Sequence, residues 1–145
     1  MRKNPGFSLF EILLTVTLIF LVALIITPSY RGFTYSNDLA VSLNLVVQSL
    51  YQAQQSAQAG ENGSDWGVKV ETGRLTVFRG ASFTNYNPVT DHSVIVPSSI
   101  NFTGLPQVVF TRFTGLPKSA GQIVIANPVG DFKVITISDQ GTIDY

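Results

Sequence analysis

FSLFEILLTVTLIFLVALIITP, residues 7–28, is an apolar run that carries a single charge, Glu11. A bilayer core of ~30 Å takes about 20 residues of helix, and nothing inside this run breaks one. The stretch therefore predicts a helix able to span a membrane. Arg2 and Lys3 lie just before it, and the positive-inside tendency keeps a short basic end in the cytoplasm, which places everything after Pro28 on the outer side. Glu11 is what such a span leaves unexplained, since a carboxylate within the hydrocarbon costs on the order of 2.5–3.5 kcal/mol on insertion scales.

Three readings of the run predict different mature proteins. A cleaved secretory signal has an apolar core of about 7–15 residues and a small-x-small site after it. This run is longer and leads directly into Pro28-Ser29-Tyr30. A plain signal anchor accounts for the length and the flanking charges, predicts an unprocessed membrane-anchored extracytoplasmic binding domain, and gives Glu11 no role. A third reading supplies the acid with a partner in another chain.

That reading comes from Lys3-Asn4-Pro5-Gly6-Phe7-Ser8-Leu9-Phe10-Glu11, which resembles the processing site of type IV pilins and type II secretion pseudopilins. The resemblance implies a short basic leader ending at Gly6, cut by a prepilin peptidase before Phe7, and N-methylation of Phe7. It also makes Glu11 the assembly acid four residues on, and Pro28 the helix-kinking proline. Cutting before Phe7 creates an α-ammonium, and a neighbouring subunit's Glu11 can neutralise it in a low-dielectric setting where ion pairs are strong. Like a buried polar residue in a coiled coil, such a pair fixes register more than it adds stability.

Composition agrees with an anchored, exported domain. The chain of 145 residues allows one modest core beyond the helix. Nine basic and nine acidic residues balance in the precursor, and loss of Arg2 and Lys3 with the leader leaves the side chains mildly acidic. Phosphate contacts need clustered cations, yet Arg74, Arg79, Arg112, Lys118 and Lys133 are scattered and the segment 139–145 is acidic; nucleic-acid binding is not expected. Cysteine is absent, which excludes disulfides and thiolate metal sites.

Beyond Pro28, where a kink is expected because proline removes a backbone donor and crowds the preceding turn, helical periodicity resumes. Leu39, Leu43, Val46, Leu50, Ala53 and Ala57 form one apolar stripe, with Asn44, Gln48, Gln52 and Gln55 off it. Gly60 and the polar residues 61–65 end the helix. An unbroken helix from Phe7 to about Gln58 would be roughly 75–80 Å long, so its second half needs a lid over the stripe.

The remainder reads as that lid, in β-structure throughout. Val68-Lys69-Val70-Glu71 and Leu75-Thr76-Val77-Phe78 flank Gly73-Arg74 as a hairpin with Trp66 at its entry. Residues 80–93 are polar, aromatic-studded and aperiodic, a long surface loop or frayed edge whose Phe83, Asn85 and Tyr86 form either a contact surface or a cover for the core. Strands are expected at 94–96, 100–103, 108–113, 122–126, 132–138 and 142–145, with Asp139-Gln140-Gly141 as a tight turn. Short strands at regular intervals suggest a sandwich. Phe102-Thr103-Gly104-Leu105-Pro106 recurs as Phe113-Thr114-Gly115-Leu116-Pro117, read as two similar strand-to-turn junctions.

The hydrophobic spacing from Val108 to Ile143, with its final hairpin, resembles the globular domain of the GspH and FimT group of minor pseudopilins and minor pilins. The implied fold is α+β: a long N-terminal helix, transmembrane in its first half and amphipathic in its second, packed against an antiparallel β-sandwich-like domain. The expected parts are a leader (1–6), a transmembrane and assembly helix (7–28), its amphipathic continuation (29–59) and an exported β-domain (60–145). The resemblance further implies other pilin or pseudopilin subunits, the prepilin peptidase and an inner-membrane assembly platform as partners. It implies a single-pass place in the inner membrane with a periplasmic domain, followed by incorporation into a filament.

Catalytic and metal chemistry find little support in the residues. His92 is the only histidine and stands beside Asp91 with no nucleophile indicated. Glu61, Asn62, Ser64 and Asp65 offer oxygen ligands around Gly63, but not at the spacing of an EF-hand loop. No catalytic residue, metal or cofactor is expected.

Overall fold

Helix α1 covers Leu9–Gln58 in a computed structural model that describes residues 6–84, 87 and 89–145, with the backbone alone for 25–31. The chain divides into two compact units, one ending at Thr34 and the other running Tyr35–Tyr145. In the first, every described side chain from Gly6 to Leu24 is exposed. Among the described residues no helix is long and apolar enough to cross a membrane; the run expected to do so continues into 25–31, whose side chains lie outside the described residues. The kink assigned to Pro28 falls there as well.

In the second unit the predicted stripe is the buried face of α1. Leu39, Val46, Leu50, Ala53 and Ala57 are buried, with Leu43 packed beside them, while Asn44, Gln48, Gln52 and Gln55 are exposed. Two hydroxyls share that face: Ser49 Oγ donates to the Leu45 carbonyl at 2.8 Å, and Ser42 Oγ is buried with no hydrogen-bond partner. The helix ends where expected. Gly60 takes a left-handed φ of 64° and its N–H donates to the Ala57 carbonyl, the glycine cap that satisfies a terminal carbonyl without strain on a Cβ.

A 3₁₀ turn, Glu61–Gly63, leads into eight strands. Strands β1 (Trp66–Glu71), β2 (Arg74–Arg79), β3 (His92–Ile95) and β5 (Gln107–Phe110) form one antiparallel sheet in the order β3-β2-β1-β5. The second holds β4 (Asn101–Gly104), β6 (Gly121–Ala126), β7 (Phe132–Ile137) and β8 (Ile143–Asp144), in the order β4-β6-β7-β8. Alternate residues point to opposite faces of a strand, so each sheet offers one inner set to the helix. Val68, Val70, Leu75, Val77, Val108 and Phe110 from the first sheet meet Ile123, Ile125, Ile135, Ile137 and Ile143 from the second across the α1 stripe. The fold is α+β, a long N-terminal helix on two antiparallel sheets, as the sequence predicts.

Three expectations are corrected. The strand drawn over 108–113 stops at Phe110: Gly115 N–H closes on the Thr111 carbonyl, and the Phe113 N–H donates at 2.8 Å to the Ala57 carbonyl at the end of α1, which accepts from Gly60 as well. Phe113 sits at φ 66°, and the second Phe-Thr-Gly-Leu-Pro copy turns the chain back until Pro117 bridges Phe110, unlike the first, whose Phe-Thr-Gly closes β4. Of the segment 80–93, the described residues up to Asp91 form a loop, one of the two expected alternatives, and the correction is that it is held and ends sooner. Phe83 stacks edge-on against Phe78 at 5.3 Å, its N–H reaches Gln107 Oε1, and β3 begins inside the expected loop at His92. Phe83 thus covers Phe78 on the outer face of the first sheet, where Thr76 and Val109 are likewise buried apart from the main core. Asn85 and Tyr86 lie outside the described residues. Finally, the last strand is only Ile143–Asp144, paired with Ile137 and Thr136 after a turn in which Gly141 adopts φ 83°.

Candidate functional site

The candidate site is the start of α1. Ser8 holds it: the Phe10 N–H donates to Ser8 Oγ at 3.2 Å, and the Glu11 and Ile12 N–H groups donate to the Ser8 carbonyl. Ser8 is therefore the N-cap and Glu11 the third helical residue, where a carboxylate is favoured by the helix dipole. Ser8-Leu9-Phe10-Glu11 is a capping-box sequence, a signal legible in the residues that the sequence reading passed over.

Around this start the surface is apolar and uncovered. Phe7, Leu9 and Phe10 are 79%, 81% and 75% exposed. Thr15 and Thr17 satisfy their hydroxyls on their own helix, Thr15 Oγ1 on the Ile12 carbonyl and Thr17 Oγ1 on the Leu13 carbonyl. The Glu11 side chain has no hydrogen bond or ion pair among the described residues. An exposed apolar surface of this extent marks a contact with another protein or a membrane, and within it Glu11 is the group still lacking a partner. Gly6 and Phe7, the residues flanking the expected cut, are both exposed, and the Gly6 backbone has nothing within 4 Å of where a Cβ would stand.

The loop 61–65, with its oxygen-bearing side chains, is held by an internal latch. Lys118 Nζ meets Asp65 Oδ2 at 2.8 Å, the Arg112 N–H donates to Asp65 Oδ1 at 2.9 Å, and Arg112 Nη1 donates to the Gly63 carbonyl at 2.6 Å. The Lys118 hydrogen bond and then the Arg112 amide hold the Asp65 carboxyl below its ordinary pKa. Trp66 Nε1 donates to the Glu61 carbonyl, so the loop between α1 and β1 is tied at both ends. Among the described residues no three His, Asp or Glu side chains converge to hold a metal. Asp91 accepts from the Asn87 and Arg79 N–H groups and from Thr90 Oγ1; it anchors the 80–91 segment, and neighbouring His92 is exposed on β3.

The architecture, a long N-terminal helix whose residues 39–57 pack on two antiparallel sheets, is pilin-like. No family model matches the chain. Its fold is similar to the structure of the minor pseudopilin EpsH from the Type 2 Secretion System of Vibrio cholerae, with a TM-score of 0.53 and 15% sequence identity over 74% of this chain and 94% of that one.

Proposed function

We propose that the chain is a non-enzymatic filament subunit, a minor pseudopilin or minor pilin. In this reading it is cut after Gly6, methylated at Phe7 and assembled through its N-terminal helix from a single-pass state in the inner membrane. The observation that carries it is the lone Glu11 carboxylate within an exposed apolar helix start, joined to a fold shared with a minor pseudopilin. The ammonium created at Phe7 is the partner that Glu11 lacks within its own described residues, and in an apolar filament core a subunit docks in the register that brings the two together. Other subunits, the peptidase and the assembly platform are the partners this reading requires, with the β-domain on the outside.

Mass spectrometry of the protein recovered from membranes tests it. The expected N-terminal peptide begins with N-methylated Phe7, and Glu11→Ala is expected to leave the protein cut and membrane-bound but absent from filaments. An intact Met1, or a cut elsewhere, would instead favour an unprocessed anchored binding domain.

A further inference from the structure

The turn between β6 and β7 is pinned from within and apolar on the outside. Asn127 is buried, and its side chain organises the turn: Oδ1 accepts from the Val129 N–H at 3.2 Å and from the Asp131 N–H at 2.9 Å, while Nδ2 donates to Asp131 Oδ2 at 3.0 Å. The backbone closes the same loop, from the Asn127 N–H to the Asp131 carbonyl and from the Gly130 N–H to the Asn127 carbonyl. An asparagine used in this way stands in for backbone turn bonds. What the turn presents to its surroundings is Val129, 55% exposed, and Phe132, 64% exposed, with Pro128 and Lys133 exposed beside them. A loose loop would let such side chains fold back onto the core; a pinned one holds them out.

The place of the turn limits what can cover it. Ser36 and Leu39 of α1 line one groove of about 500 Å³ with Gly130, Asp131, Phe132 and Lys133, so the turn stands where the helix enters this unit. Eight residues before Ser36 is Pro28, the end of the apolar run, which a helical connection sets about 12 Å away. Tyr30, Phe33 and Tyr35 fall in that interval. Aromatic residues concentrate in the interfacial layer of a bilayer, which extends roughly 5–8 Å beyond the hydrocarbon on each side. Two apolar side chains are too small a patch for a protein partner, since a stable interface buries about 800 Å² on each side. For a bilayer that already holds the same chain they suffice, because a short tether raises the effective concentration to the order of millimolar and a weak contact is then occupied.

We propose that Val129 and Phe132 dip into the interfacial layer of the bilayer that anchors residues 7–28, with Lys133 reaching the headgroups, and so hold the β-domain at the membrane until the subunit is drawn into a filament. This rests on the single-pass reading above. The attraction is apolar: Asp131 and Lys133 offset each other in charge, so the turn gains nothing from anionic headgroups.

The test uses the full-length chain reconstituted in phosphatidylcholine vesicles with brominated, fluorescence-quenching acyl chains. Phe132→Trp replaces one exposed aromatic by another and should leave urea unfolding unchanged. Its added emission should be blue-shifted and quenched. Wild type, whose Trp66 lies in the domain core, and Tyr145→Trp, beside Tyr51 and Gln55 farther along α1, should keep their emission. Equal quenching with and without phosphatidylserine is expected. Unquenched emission from Phe132→Trp in a chain that resists carbonate extraction would overturn the inference and leave the membrane anchor standing. So would quenching that requires anionic lipid, or shielding that appears only in assembled filaments. A chain that carbonate releases from the vesicles would overturn both.

Discussion

Gln54 ties α1 to both sheets at one point, and a double-mutant cycle measures how much that junction contributes. Its Nε2 donates to the Gly115 carbonyl at 3.2 Å, in the turn after β5, and to the Gly141 carbonyl at 2.8 Å, in the turn before β8. Two hydrogen bonds at about 1 kcal/mol net each make Gln54→Ala cost about 2 kcal/mol, less a few tenths returned by alanine's helix propensity. Gly141→Ala strikes the same point from the other side. At φ 83° a Cβ would stand 2.9 Å from Gln54 Nε2 and 3.1 Å from the Gly115 oxygen. The left-handed backbone costs a non-glycine residue about 1–2 kcal/mol, and displacing the amide adds about 1–2 more. The double variant should therefore be less damaging than the sum by about 1 kcal/mol, because the bond to Gly141 can be lost only once. Trp66, the sole tryptophan and a core residue, reports unfolding of the full chain by urea in detergent, where Gln54→Ala should lower the midpoint by about 1 M. Strict additivity, or a Gln54→Ala midpoint equal to wild type, would refute the shared-junction argument.

Two further perturbations address the latch and the cover. Asp65 titrates below its ordinary value in the folded state, so its stabilising contribution is complete above about pH 4 and fades as pH falls through the folded value. The gap between wild type and Asp65→Asn should accordingly narrow in acid, and urea midpoints that stay equally far apart from about pH 6 to pH 3 would contradict the role given to Lys118. Phe83→Ala removes the ring that covers Phe78; a loss of about 1–2 kcal/mol is expected, along with limited proteolysis confined to residues 80–91, and an unchanged cleavage pattern would show that the segment is held by other contacts.

The helix and its partner face were legible because a 3.6-residue period repeats five times, from Leu39 to Ala57, and Gly60 marks its end in the way left-handed caps do. The β1–β2 hairpin was legible for a similar reason: its turn and alternation are local. What the residues could not disclose depends on distant pairing. Nothing near Val108 says that β5 returns to the far side of β1, or that an α1 carbonyl will capture the Phe113 amide and end the strand early. Phe83 carries no periodic signal, since its partner Phe78 faces away from the main core and becomes a buried residue only once the segment folds over it. At the candidate site, Gly6, Phe7 and Glu11 stand out by charge and motif, and the Ser8 cap is equally local, written in Ser8-Leu9-Phe10-Glu11.

The unequal treatment of the two sheets has a consequence for how freely the sequence can drift. In β2 Leu75, Thr76, Val77 and Phe78 are all buried, Leu75 and Val77 in the main core and Thr76 and Phe78 on the opposite face, where Phe83 packs on Phe78. In β6 and β7 only every second residue is sealed. Variation among descendants should thus run at period two through β6 and β7, while β2 stays fixed from Leu75 to Phe78, and the outer face of the second sheet becomes the side of the molecule on which new surface chemistry can be acquired without disturbing the helix or its cap.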